Sequence, residues 1–160
     1  MPSEEDKSFF RDLDLKFQRS ESIEFLSYWN AKRGARRFPA RADIVPREII
    51  KLLPWINIYD VIDGGRDFHI RLIGTALTTV LGEDEYRGQP ISNLPPLLAQ
   101  RIHTACNWVL ETQAPIRTYA HQSVIPGQDF QGAESCLAPL SSDGETIDVI
   151  IVLAMLNLRK

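Results

Sequence analysis

The hydrophobic period of this sequence changes along the chain, and the order of the changes limits the fold to few possibilities. One stretch, residues 96–111, repeats its apolar side chains with the period of an α-helix. Five other segments show the alternation or the short apolar runs that are typical of β-strands. They are residues 55–63, 67–74, 116–124, 131–140 and 146–156. This order predicts an α+β fold, with helices on one face of a five-stranded antiparallel sheet.

The first third of the chain is predicted to be mostly helical. An apolar stripe predicts a helix over residues 22–34, and Pro46 begins a shorter one. In the charged segment 1–20, Phe10, Leu13 and Phe17 fall at helical spacing, so this part is expected to be an N-terminal extension that is either helical or disordered. The remaining residues, 21–160, are expected to form a single domain.

Composition narrows the classes of function. The chain has 160 residues, 44% hydrophobic and 24% charged, which is enough for one domain with its own core. A net charge of −3 argues against binding nucleic acid over the whole surface, which requires an excess of cations. The N-terminal residues do not form a secretory signal, and the longest apolar stretch is too short to cross a membrane. We therefore expect a cytoplasmic protein with no membrane insertion.

Four segments carry a resemblance to a known family. They are Tyr28–Val61, Phe68–Leu77, Tyr86–Ile91 and Leu137–Gly144, the last of which reads LAPLSSDG. Together they resemble a family of small, stand-alone PAS-like proteins that is common in alphaproteobacteria. The resemblance extends over residues 23–156 and implies a PAS-like fold with the predicted order of strands.

The resemblance implies a role in bacterial signalling or protein interaction and no shared reaction. We therefore expect a sensory domain that binds a small ligand, a partner protein, or both, and that is not an enzyme. Three alternatives remain open. They are a ligand-free protein-interaction module, a small enzyme of unknown reaction, and a nucleic-acid binder that uses an arginine-rich loop.

A PAS-like fold places a ligand pocket between the sheet and residues 74–94. The candidate lining residues are apolar except for one carboxylate, and the apolar ones are equally consistent with a plain core. They are Ile58, Asp60, Leu72, Leu77, Leu81, Ile91, Ile102, Cys106 and Ile150. Asp60 faces Arg71 across the predicted hairpin, and the two residues form either part of the pocket or an ordinary cross-strand ion pair.

An arginine-rich loop is the strongest local concentration of charge. The guanidinium groups of Arg33, Arg36, Arg37 and Arg41 match the geometry of phosphate or carboxylate, which makes them candidates for an anion site. Alternatively, they fix an irregular loop by binding carbonyl oxygens and nearby carboxylates.

The helix before this loop is the candidate interface of a homodimer. Phe25, Leu26 and Trp29 form an aromatic and aliphatic stripe that is suited to a second subunit or to a signalling partner.

The sequence identifies no cofactor, metal or catalytic set. The three histidines do not share a ligand spacing, which argues against haem and metal sites. Cys106 and Cys136 form no C-x-x-C pair, and neither has the context of the cysteine that light-sensing flavin domains use. Cys106, on the apolar side of its helix, is expected to be an inert buried thiol.

Overall fold

The computed structural model describes residues 6, 8–82, 85–124 and 130–158. Within these residues the chain forms six β-strands, three α-helices and several short 3₁₀ turns. The strands are β1 (Phe9–Asp12), β2 (Ile56–Ile62), β3 (Asp67–Leu72), β4 (Ile116–Ala120), β5 (Phe130–Leu140) and β6 (Val149–Leu158). The helices are α1 (Ser20–Arg33), α2 (Thr75–Leu81) and α3 (Pro96–Thr112).

The strands form one antiparallel sheet in the order β1-β4-β5-β6-β2-β3. The hairpin of β2 and β3 turns at Asp63–Gly65, where Gly64 has a φ of 66°. The segment that contains α2 and α3 then connects β3, at one edge of the sheet, to β4, which lies next to the opposite edge strand β1. The structure thus confirms the predicted α+β fold.

The sixth strand, β1, lies in the segment that we predicted to be helical or disordered. Phe9 pairs with Ala120 and Phe10 with Tyr119, so the free edge of β4 gives this short segment its hydrogen bonds. The Phe9 ring also stacks on Trp108 at 5.5 Å between ring centroids. A helix this short has little stability of its own, and these tertiary contacts therefore override the helical spacing. The predicted residues 1–5 and 7 lie outside the described residues.

Helices cover both faces of the sheet, whereas the predicted arrangement placed them on one. In α1 the Trp29 indole N–H donates to the Pro139 carbonyl, and backbone N–H groups before this helix reach the Glu134 carboxylate. α3 packs on the face of Ser135 and Leu137. Since successive side chains of a strand point to opposite faces, α1 and α3 lie on opposite sides of β5. The unbroken buried run 149–153 in β6 reflects burial on both faces.

A buried ion pair holds α1 against the sheet. The Glu134 carboxylate accepts hydrogen bonds from the backbone N–H groups of Gln18 at 2.9 Å and Arg19 at 3.1 Å. Arg117 on β4 donates to the same carboxylate at 2.9 Å, and Asp12 of β1 lies 3.6 Å from this guanidinium. Glu134 therefore places a negative charge at the positive end of the α1 dipole and connects three elements.

The same contacts fix the ionisation of Glu134. Burial alone would raise the pKa of this carboxyl, but the hydrogen bonds from the Gln18 N–H and from its other partners, including Arg117, outweigh burial and lower the pKa. A lowered folded-state pKa stabilises the fold at pH values above the unfolded-state pKa, and the stabilisation disappears as pH falls through the folded-state pKa.

Replacing Glu134 with Gln is expected to lower the free energy of unfolding by about 3 kcal/mol near neutral pH, because Arg117 loses its closest counter-charge while it stays buried. Urea denaturation of the wild type and E134Q measures the difference, and the exposed Glu145→Gln variant is the matched control. The difference should shrink as pH falls below the ordinary glutamate pKa of about 4.3 and disappear as pH passes through the lower folded-state pKa. A difference that stays constant over this range would show that the charge of Glu134 does not stabilise the fold.

Candidate ligand-binding cavity

A cavity of about 110 Å³ lies between α3 and the sheet, on the face opposite α1. The exposed Gln122 is part of its wall, so the cavity approaches the surface at the end of β4. The other lining residues come from α2, α3, strands β1, β2, β4, β5 and β6 and the segment that follows β4, and most are apolar. They are Phe9, Asn57, Tyr59, Leu77, Leu98, Arg101, Ile102, Ala105, Thr118, Ala120, Ser123, Val124, Ala133, Ser135, Leu137, Val152, Ala154 and Leu156.

Small side chains on three neighbouring strands create the space. The strand register pairs Thr118 with Ser135, Ser135 with Ala154, and Ala120 with Ala133, so these five residues form one continuous patch. Leucine or valine at the same positions would fill the layer beneath α3 to the usual density of a protein interior. The cavity therefore results from a cluster of small residues on neighbouring strands.

Four of the neutral polar side chains in this mostly apolar wall lie on the strands of the sheet. Asn57, Tyr59 and Thr118 are 2%, 3% and 3% exposed, and Ser135 lies beside Thr118. The Asn57 carbonyl oxygen accepts the Gly74 N–H at 2.8 Å. Within the described part of the chain, the amide NH₂ of Asn57 and the three hydroxyl groups make no hydrogen bond. Burial raises the pKa of the Tyr59 phenol, which is therefore neutral at physiological pH.

Arg101 is the charged side chain of the cavity wall. Its guanidinium donates to both carboxylate oxygens of Asp6, to the Ser8 hydroxyl and to the Gln122 carbonyl. It also lies over the Phe9 ring, 5.3 Å from the ring centroid. The hydrogen bond from Arg101 lowers the pKa of Asp6, so the two groups form an ion pair. Arg101 thus connects the segment around β1 to α3 at the edge of the cavity.

Comparison with protein families gives a clear match. A sequence model of the PAS domain family matches residues 17–154. The chain belongs to the PAS domain family. A search of curated proteins found no match. The matched part of this PAS domain includes α1, strands β2–β5, the first six residues of β6 and Arg101, whereas β1 lies before it. Membership indicates a sensory or signalling module, the coarser part of our functional expectation.

Of the nine predicted pocket residues, Leu77 and Ile102 line the cavity of the PAS domain. On β2 the predicted phase differs from the structure, because Asn57 and Tyr59 face the cavity and Ile58 between them faces the other side. Leu72 pairs with Ile58 in the sheet. The remaining apolar candidates pack outside the cavity wall. They are Leu81, Ile91, Cys106 and Ile150.

Asp60 forms a cross-strand ion pair with Arg71, at 2.8 Å between Oδ1 and Nε. This is the second of the two interpretations that the sequence left open, and Asp60 is not part of the cavity wall.

The residues that sequence reasoning missed are small or polar. Thr118, Ser135 and Ala154 lie on correctly predicted strands, but apolarity was the criterion for a pocket. A search for small residues on neighbouring strands would find them only if the register between the strands were already known.

The four arginines of the candidate anion site bind groups of the chain itself. Arg33 donates to the carbonyls of Gly34 and Arg36, and Arg36 donates to the Lys32 carbonyl and to Asp43 at 2.8 Å. The remaining contacts are those of Arg37 with Gln113 and of Arg41 with the Ile44 carbonyl. These contacts are those of the alternative interpretation, a loop fixed by its arginines, and the anion site stays a prediction.

The predicted dimer interface faces the core of its own chain. Phe25 is 1% and Trp29 4% exposed, while Leu26 is partly buried against the same cluster. The apolar stripe of α1 packs on the sheet, because the sheet face that α1 covers would otherwise be exposed to water. Phe25 and Trp29 are therefore not available to a second subunit.

Metal-binding side chains do not cluster in the described part of the chain: there, no three of His, Cys, Asp and Glu lie close enough to hold an ion. The His103 ring contacts the Arg66 carbonyl at 3.1 Å. Among the same residues, none of the helices has the length and apolar composition needed to cross a membrane.

Both cysteines are fully buried, and burial raises the pKa of each thiol. We therefore expect neither Cys106 nor Cys136 to react with a thiol reagent such as DTNB while the protein is folded. Both should react within the mixing time in guanidinium chloride, which serves as the internal control. Rapid reaction of one equivalent in native buffer would contradict the inert role of the thiols.

Proposed function

We propose that this PAS domain is a sensory module that binds a small molecule in the cavity between α3 and the sheet. The observation that carries the proposal is the combination of a continuous patch of small side chains with neutral polar side chains on the same cavity wall, whose hydrogen-bonding groups face the cavity rather than partners in the described chain. A void and an unpaired buried polar group each destabilise a fold, the latter by about 1–3 kcal/mol. A ligand that fills the void and accepts the hydrogen bonds would offset both costs.

Two residues of the cavity wall support a route from ligand to output. Phe9 belongs to β1, and Arg101 binds Asp6 and Ser8 on the chain just before this strand. A ligand in contact with these side chains alters the free energy with which β1 docks on β4. The shift is limited to the difference between the affinities of the docked and undocked states for the ligand. We propose β1 as the element that reports occupancy.

The remaining expectations belong to the same proposal. The module is cytoplasmic, acts on a signalling partner without catalysis, and forms a homodimer through a surface other than the buried stripe of α1. A ligand-free protein-interaction module is the second candidate, which the exposed Phe10 of the edge strand β1 favours at 41% exposure.

The first test is native mass spectrometry of freshly purified protein. We expect a small-molecule adduct that disappears on denaturation. The variant Ala154→Leu places a larger side chain in the cavity wall and should lose the adduct, whereas Ala31→Leu, on the exposed side of α1, should keep it. An equal adduct in both variants would place the ligand elsewhere. A bare chain mass for the wild type would favour the interaction module.

Hydrogen exchange tests the output. The amides of β1 are expected to exchange more slowly in protein that carries the adduct than in protein stripped of it. β3 is the opposite edge strand and contributes no residue to the cavity wall as described, so its exchange is the internal control. Equal protection of β1 in both forms would remove β1 as the reporter without affecting ligand binding.

A further inference from the structure

We infer that the ligand is an uncharged molecule with an apolar body of about one ring and a hydrogen-bonding group at each end. This inference rests on the proposed function and names the chemical class that the same cavity takes. Three properties of the wall lead to it: its charge balance, the placement of its polar groups, and the apolar surface between them.

The charges on the cavity wall argue against an ionic ligand. Arg101 is the only charged side chain among the described lining residues, and Asp6 already supplies its counter-charge. Its other hydrogen bonds go to Ser8 and Gln122, so an anionic ligand would have to displace Asp6. A cationic ligand would find no carboxylate on the described wall. Moving an unpaired ion out of water costs several kcal/mol, which favours a neutral ligand.

The polar groups lie at two separate places on the sheet. Thr118 and Ser135 are directly paired neighbours on β4 and β5, while Asn57 and Tyr59 lie on β2. Two strand spacings and two residues along the strand separate Ser135 from Asn57, which places their backbones about 12 Å apart. The Asn57 NH₂ donates, so the ligand needs an oxygen or a similar acceptor at that end; hydroxyl groups donate and accept, so a hydroxyl group on the ligand suits the end at Thr118 and Ser135.

The floor between the two places is apolar. Val152 and Ala154 of β6 separate Ser135 from Asn57, and Ile102 and Leu98 of α3 cover them from above. Apolar cavities of this size bind molecules of the size of benzene. A para-substituted ring with an oxygen at each end, together with two hydrogen bonds, spans the required distance.

The experiment compares three probes of one shape. They are 4-hydroxybenzyl alcohol, which is neutral, 4-hydroxybenzoate, which is an anion, and 4-hydroxybenzylamine, which is a cation near neutral pH. Calorimetric titration of protein stripped of any adduct should give a dissociation constant at least about tenfold lower for the alcohol than for either ion. Binding of the alcohol should be lost in Ala154→Leu and kept in Ala31→Leu.

The double variant Thr118→Val with Ser135→Ala tests the polar end. It should raise the dissociation constant of the alcohol about tenfold, which corresponds to the loss of one or two hydrogen bonds. The ligand-free variant should melt at the same or a higher temperature, because the two hydroxyl groups have no partner in the described chain to lose. Ser27→Ala with Thr146→Val, both exposed, is the matched control and should bind as the wild type does.

The outcomes separate the class from the function. Tighter binding of the benzoate or the amine, lost in Ala154→Leu, would overturn the neutral class and leave the ligand-binding cavity standing. Unchanged affinity in the double variant would overturn the placement of the polar end. If none of the probes binds while the purified protein carries an adduct in the cavity, the class is wrong and the function holds. If none binds and no adduct exists, both fail.

Discussion

The buried ion pair of Glu134 and Arg117 determines which side of the sheet is left for the cavity. The pair fixes the start of α1 against β5 and, through Asp12, the end of β1 against β4. With α1 on this face, α2 and α3 cover the other face, where the small residues of β4, β5 and β6 lie. A buried pair is a weak source of net stability, but removal of one partner is costly. Its clearest effect is therefore to specify one arrangement of the helices.

The order of elements was predictable because it depends on local signals. The alternation in β2 and β3, the turn at Asp63–Gly65 and the long apolar face of α3 each act within a short window of the chain. β1 was not predictable in this way. Four residues contain too little periodicity to distinguish a strand from a helix, and the edge of β4, more than a hundred residues away in sequence, decides the outcome.

The cavity could not be predicted for a different reason. Its wall depends on which residues of different strands are neighbours, and the alternation of one strand does not reveal the register with the next. Ser135 looks like an ordinary polar residue of β5 until Thr118 and Ala154 are placed beside it. On β2, a one-residue error in phase exchanged Ile58 for Asn57 and Tyr59, since the side-chain period of a strand is two.

In the proposed function, the position of β1 outside the family match separates output from sensing. The matched residues 17–154 contain the strands and helices that build most of the cavity, including Arg101, whereas Asp6, Ser8 and Phe9 lie before them. β1 is a four-residue strand at the edge of the sheet and pairs with β4 alone, so its docking free energy is expected to be smaller than that of the core strands. Coupling energies between two sites are typically about 1–3 kcal/mol. A ligand that changes the contacts of Phe9 and Arg101 by this amount is sufficient to shift β1 without disturbing the sheet.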